Sequence, residues 1–192
     1  MALQHRTLWV ALGLQAARAQ HTLEEAACLT RWARGRRQLL EIGVAEGASA
    51  LILRQAMDPN GDLWLIDPFH LSRNPLFNTG LMAARRTVKR GNRGQVHFLV
   101  GWSHEVAKWW RNPLDFLFID GDHRYDVVLA DWKGFSSWVK TGGVVTFHDA
   151  VGADGNFPGP VQLINKYLRD GRTAGWRIVE ETGSIVAVRR ET

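Results

Sequence analysis

The chain has 192 residues, 45% of them hydrophobic and 22% charged, which allows one domain with a substantial core and excludes a disordered or fibrous protein. A single cysteine, Cys28, excludes an internal disulfide framework and any multi-cysteine zinc site, and its apolar helical surroundings predict a buried, inert thiol. The formal charge of +5 favours an acidic partner, but the basic residues are scattered over 31–37, 85–93 and 189–190, so a solvated basic face is the plainer reading and a nucleic-acid partner is disfavoured without being excluded.

Residues 1–21 form a first, helical segment. Arg6, the apolar stretch 8–14 and Ala17-Arg18-Ala19 faintly imitate a secretory signal, yet Gln15 and Arg18 spoil the cleavage region. No run approaches the roughly eighteen apolar residues of a membrane span, so the chain is expected to work in the cytoplasm, off the membrane. Leu8, Trp9, Leu12 and Leu14 make this segment a lid, a homodimer contact or a helix packed on the domain.

Residues 22–192 then alternate strand and helix. Thr22 caps a helix reaching Ala33, with Glu25 placed for a capping box. A strand over 38–43 leads to a helix over 48–57. The turn signal Asp58-Pro-Asn-Gly61 introduces a second strand over 63–66. A helix over 81–90, a strand over 96–100, a short helix over 105–110 and a fourth strand over 116–119 follow. Val128, Trp132, Phe135 and Trp138 give helical spacing across 125–138. Gly142-Gly143 opens a fifth strand over 144–147, and Pro160 stands at the start of a helix over 161–168. Strands over 176–180 and 185–188 close the chain around Gly183. The alternation predicts an α/β, doubly wound, mostly parallel sheet, and the short last connection makes the last strand antiparallel.

In such a sheet ligands bind beyond the carboxyl ends of the strands, near the switch point. After the first strand, Gly43 and Gly47 allow a tight turn and close backbone approach to a ligand. A dinucleotide loop would place a glycine where Ala45 stands, and Glu46 would repel a phosphate. The fitting cofactor lacks phosphate there and carries positive charge, as S-adenosylmethionine does, with Glu41 facing the positive end. Asp67, 24 positions after Gly43, is placed to accept both ribose hydroxyls. Gly101-Trp102-Ser103 offers a flat ring and a small polar group for adenine, although Trp102 reads equally as a core tryptophan.

Residues 41–49 resemble motif I of class I S-adenosylmethionine-dependent methyltransferases, including Ser49, and Asp67 resembles their ribose-binding acid. The resemblance covers about residues 22–190 and implies a Rossmann-like seven-stranded sheet.

The fourth strand ends in Asp120, Asp122 and His123 and the fifth in His148 and Asp149, at one edge of the sheet. Carboxylates so close repel unless a cation joins them, and a divalent cation would also acidify an acceptor hydroxyl. These segments resemble the metal-dependent sugar O-methyltransferases that act on macrocin and mycinamicin, and more distantly catechol-type enzymes. That resemblance implies Asp120, Asp149 and His148 as metal ligands and His123 as general base, with Asp120 also beside the cofactor. An imidazole ligand suits a first-row transition metal better than magnesium; alternatively His148 orients substrate or bonds a neighbouring loop, and Asp122 caps the next helix. Residues 73–80 and the glycine-rich loop 150–160, with Phe157, are candidate walls for a small-molecule acceptor. The expected reaction is O-methylation of a sugar or natural product. The rival readings are a metal-independent RNA methyltransferase, a non-catalytic cofactor-binding protein of the same fold and a nicotinamide-dependent oxidoreductase.

Overall fold

A computed structural model describes residues 2–69, 78–152, 158–169 and 173–192. Its strands are β1 (Gln38–Ile42), β2 (Asp62–Asp67), β3 (Gln95–Val100), β4 (Leu114–Ile119), β5 (Val139–Phe147), β6 (Trp176–Thr182) and β7 (Ile185–Arg190). They form one sheet in the order β3-β2-β1-β4-β5-β7-β6. The first five are parallel, and β7 runs antiparallel to both β5 and β6. Only Gly183 and Ser184 separate β6 from β7, too few for a parallel crossover, so the antiparallel closure expected from sequence is present.

The helices are α1 (Ala2–Leu12), α2 (Leu23–Ala33), α3 (Ala48–Ala56), α4 (Thr79–Val88), α5 (Ser103–Trp109), α6 (Tyr125–Phe135) and α7 (Pro158–Leu163), the last continuing as a π-turn, Ile164–Leu168. Strand side chains alternate between two cores. Leu39, Leu63, Leu65, Phe116 and Phe118 pack under α2, α3 and α4, where Cys28 is fully buried as expected. Leu40, Ile42, Leu117 and Ile119 pack under α5, α6 and α7. Both faces are covered, which explains why the parallel strands read as nearly continuous apolar runs.

The capping box of α2 is formed: Glu25 N donates to Thr22 Oγ1 at 3.2 Å and Thr22 N to Glu25 Oε2 at 2.7 Å. Helix α4 starts earlier than its apolar spacing suggests, because Asn78 Oδ1 accepts from Leu81 N and caps it. The helix over 125–138 ends its α-turns at Phe135 and tightens to a 3-10 turn, Ser136–Trp138. Gly142 and Gly143 lie inside β5 rather than opening it. Between the pairs Leu114–Val139 and Phe116–Val144, β4 advances two residues and β5 five, and Gly142 takes φ +80 in the resulting bulge. Sequence spacing could not show that Val139 already pairs before the bulge.

The amino-terminal segment packs on α4: Val10 and Ala11 are buried against Ala83, while Leu8, Trp9, Leu12 and Leu14 remain exposed. No helix among the described residues is long and apolar enough to cross a membrane. Residues 73–77 and 153–157, Phe157 included, lie outside the described residues, so the walls expected from them have no structural account.

Candidate active site at the switch point of the sheet

Strand β1 is flanked by β2 and β4, and the chain reverses its direction of winding between them. The carboxyl ends are tied in register: Gly43 N donates to Ile66 O, Asp120 N to Ile42 O and His148 N to Ile119 O. Gly43, Asp120 and His148 therefore stand side by side along one edge. A cavity of about 610 Å³ opens there, walled by Gly43, Ser49, Asp67, Trp102, Ser103, Asp120 and His123. Its size is that of a small-molecule or cofactor site.

Gly43 has φ +87, and a Cβ on it would lie 2.1 Å from Asp120 O. The close approach it permits is thus to the neighbouring backbone as well as to the cavity. Gly47, φ +83, caps α3 without a side chain and faces Ala84 and Val88 of α4; it shapes the turn but is absent from the cavity wall. Asp67 Oδ2 accepts from Val44 N at 2.8 Å and Ala45 N at 2.9 Å, so the acid that ends β2 also fixes the turn after β1. Ala45 is held at φ 47, in the left-handed region.

Glu41 is fully buried behind this turn and accepts a hydrogen bond from the Ser49 hydroxyl through Oε1. Its Oε2 has no hydrogen-bond partner. Burial pushes the carboxyl's pKa well above the usual range, with Ser49 offsetting and Asp120 and Asp67 adding to the rise. Trp102 is 56% exposed at the start of α5 and lines the cavity, which rules out the core-tryptophan reading.

Across the cavity, Asp120, His123 and Asp149 present donor atoms within 4.8 Å of one another. His123 Nε2 lies 3.0 Å from Asp149 Oδ2. His148 is buried, and its Nδ1 lies 3.1 Å from Asp120 Oδ1 and 3.3 Å from Asp149 Oδ2. Burial opposes its charge, but Asp120, Asp149 and Glu25 outweigh burial and bring its pKa up to about 9. Asp149 itself has φ 50. Asp122 does not cap α6 with its side chain: its carboxylate accepts from Arg124 N and the Arg124 guanidinium, in a local turn. The group that could hold a divalent cation thus contains His123 where the sequence suggested His148, which is buried against Asp120 and Asp149. Of its three members Asp120 and His123 line the cavity, and two carboxylates with an imidazole suit such an ion.

Among the lining residues not anticipated as site residues are His21, Arg18 and Asp131. His21 reaches the wall from the segment between α1 and α2, and burial followed by the nearby His148 lowers its pKa. Arg18 arrives with the same segment, its backbone N donating to Glu46 Oε2 at 2.8 Å. Asp131, on α6, is 1% exposed, and burial pushes its pKa up to about 6 against the opposing Ser103 hydroxyl. Only the buried acid in an otherwise apolar helix face was a signal available in sequence.

The comparisons with known proteins agree with this geometry. The chain is 30% identical over 116 residues to an uncharacterized protein of Acanthamoeba polyphaga mimivirus, a match that covers 57% of this chain and 50% of that protein, so the chain spans about half the length of this curated relative. Among solved structures, a cofactor-bound protein from MTB superposes with a TM-score of 0.71 at 17% identity, covering 100% of this chain and 91% of that one. The O-methyltransferase TomG from Streptomyces achromogenes, involved in tomaymycin synthesis and solved in complex with SAM, gives 0.65 at 17% identity over 98% and 89%. At these identities the superpositions speak for the fold. Residues 40–150 match the family model described as a methyltransferase domain, a stretch that runs from β1 to the reaction edge after β5, and the chain belongs to that methyltransferase family.

Proposed function

We propose that the chain transfers the methyl group of S-adenosylmethionine to an oxygen of a small hydroxylated acceptor, a sugar or natural product, assisted by a divalent cation. The observation that carries this reading is one cavity with two chemically distinct walls. The first wall joins the glycine turn, Asp67 and Trp102, and the second presents Asp120 and His123, with Asp149 Oδ2 3.0 Å from His123 Nε2 and within reach of the same ion. The matched family and the SAM held by TomG support the donor.

Asp67 takes the ribose hydroxyls with the acceptor capacity left beside its bonds from Val44 N and Ala45 N on Oδ2 and from Phe69 N on Oδ1. Trp102 supplies a face for adenine. Glu41, its Oε2 unpartnered beneath the turn and its neutral form favoured by burial, gives up its proton below a sulfonium or ammonium. Asp120 and Asp149 hold the cation, magnesium or a first-row transition metal, whose chemistry there is to bind the acceptor oxygen and lower its hydroxyl pKa. His123 has two competing roles, third donor or proton acceptor, and both place it against Asp149 on the cavity wall.

The test is calorimetric titration of S-adenosylmethionine and S-adenosylhomocysteine, with and without magnesium or manganese, on the natural chain and Asp67→Ala. We expect Asp67→Ala to weaken both compounds about 100-fold, since it removes a bidentate acceptor and leaves the turn's N–H groups unpaired. Failure of the natural chain to bind either compound refutes the reading. His123→Ala then separates its roles: lost cation affinity makes it a donor, and intact affinity with lost turnover makes it the base.

A further inference from the structure

Beneath the reaction edge lies a carboxylate that the proposed mechanism leaves unused. Glu25 belongs to the capping box of α2, which needs only one carboxylate oxygen and is commonly built at a solvated helix end. Here the residue is 4% exposed and both oxygens are engaged. Oε2 accepts from Thr22 N at 2.7 Å and lies 3.7 Å from His148 Nε2. Oε1 accepts from Ser184 N at 2.7 Å and from the Ser184 hydroxyl at 2.8 Å.

Ser184 passes the connection on. Its hydroxyl, having donated to Glu25, accepts from Asp149 N at 3.3 Å, and its carbonyl accepts from Ala150 N at 2.8 Å. These bonds grip the backbone at Asp149, whose φ of 50 is costly for a residue with a side chain and persists only where its surroundings hold it. The other oxygen of Glu25 faces the imidazole that touches both Asp120 and Asp149. Two routes thus leave one carboxylate and converge on the Asp149 carboxyl, one through backbone and one through His148. The β6–β7 turn is shaped for this: Gly183 has φ +58, and a Cβ there would lie 2.6 Å from Glu25 Oε1.

We propose that Glu25 is a positioning residue for the cation site, holding Asp149 and His148 in the arrangement that lets Asp120 and Asp149 share one ion. The inference rests on the metal-assisted reading above. Groups one shell behind metal ligands commonly change affinity by about 10- to 100-fold when removed.

Manganese binding to the full chain, followed by the EPR signal of free Mn²⁺ in the presence of S-adenosylhomocysteine, tests it on Glu25→Gln, Ser184→Ala and Thr22→Ala. Thr22→Ala removes the other half of the cap and leaves the carboxylate, so it should lower the melting temperature and leave manganese affinity within about twofold. Glu25→Gln and Ser184→Ala should each weaken manganese about tenfold, with S-adenosylhomocysteine affinity unchanged. Ser184→Ala breaks the same route from its far side and carries the test if Glu25→Gln does not fold. Unchanged manganese affinity in a folded Glu25→Gln, or in Ser184→Ala, overturns the proposal, as does an equal loss in Thr22→Ala. A natural chain that takes up no manganese refutes the metal reading and this inference with it, a result distinct from variants that bind as the natural chain does.

Discussion

Gly43, Gly101 and Gly142 separate two costs that Gly43 combines. In Gly43→Ala the new Cβ would sit 2.1 Å from Asp120 O and 2.7 Å from Gly121 Cα, both backbone, at φ +87. The left-handed conformation costs an alanine about 1–2 kcal/mol, and forcing apart packed backbone costs about 1–3 kcal/mol more. Gly142 has φ +80 with nothing within 4 Å of its Cβ position, so Gly142→Ala carries the first cost alone. Gly101 has open space and no left-handed φ, so Gly101→Ala should be neutral or stabilising by up to about 1 kcal/mol through the unfolded chain. At about 2–4 °C per kcal/mol for a chain of this size, Gly43→Ala should melt roughly 10 °C below the natural chain and Gly142→Ala roughly 4 °C below. Thermal melts by circular dichroism give the order, and titration with S-adenosylhomocysteine should show weakened binding in Gly43→Ala and unchanged binding in Gly142→Ala, which lies off the cavity wall. If Gly43→Ala and Gly142→Ala melt together, the close approach of β1 to the Asp120 backbone is not what the glycine serves.

Two further outcomes follow from buried acids. Asp131 has its folded pKa raised from 3.8 to about 6, so its contribution is greatest below pH 3.8 and is lost as pH rises through 6; ionising it costs up to about 3 kcal/mol at neutral pH. Asp131→Asn should therefore out-melt the natural chain at pH 7.5 and lose that advantage by pH 4, and a natural chain more stable at pH 7.5 would contradict the burial argument. Glu41 also has its pKa raised by burial, so a cationic ligand beside it should expel a proton. Calorimetry of S-adenosylmethionine in buffers of different ionisation enthalpy should show proton release that Glu41→Gln abolishes, and equal release in both proteins would place the proton elsewhere.

What could be read from sequence was whatever local pattern encodes. The strands were visible because both faces of the sheet are covered and their residues are correspondingly apolar, as in 63–66 and 116–119. Thr22 and Glu25 announced a helix start, and the residues after β1, β2 and β4 gathered around one cavity, with the end of β5 tied beside β4, as a doubly wound sheet requires. Long-range pairing was not legible. The bulge in β5 depends on Val139 meeting Leu114, and the second role of Glu25 depends on Ser184, 159 residues away. His21 and Arg18 reach the cavity because α1 packs on α4 and the following segment passes over Glu46, none of which has a periodic signature.

The charges at this edge bear on the proposal that one fold position holds two cationic ligands. Glu25, Glu41, Asp67, Asp120 and Asp149 cluster around it, and each meets its charge differently. Asp67 is stabilised by backbone N–H groups. Glu25 is held at a pKa of about 2: burial opposes its charge, and bonds from Thr22 and Ser184, with His148 nearby, overcome it. Burial favours the neutral acid in Glu41. Asp120 and Asp149 share His148 from behind, while their cavity side faces His123. On the proposed reading, a cationic ligand under the glycine turn would draw Glu41 to its ionised form, and a cation at Asp120 and Asp149 would add to the charge that His148 already brings to them. In the proposed reaction a sulfonium donor and a divalent cation take those two places, and the acceptor oxygen belongs in the gap between them. That placement follows from electrostatics on a sheet whose register puts Gly43, Asp120 and His148 in one row.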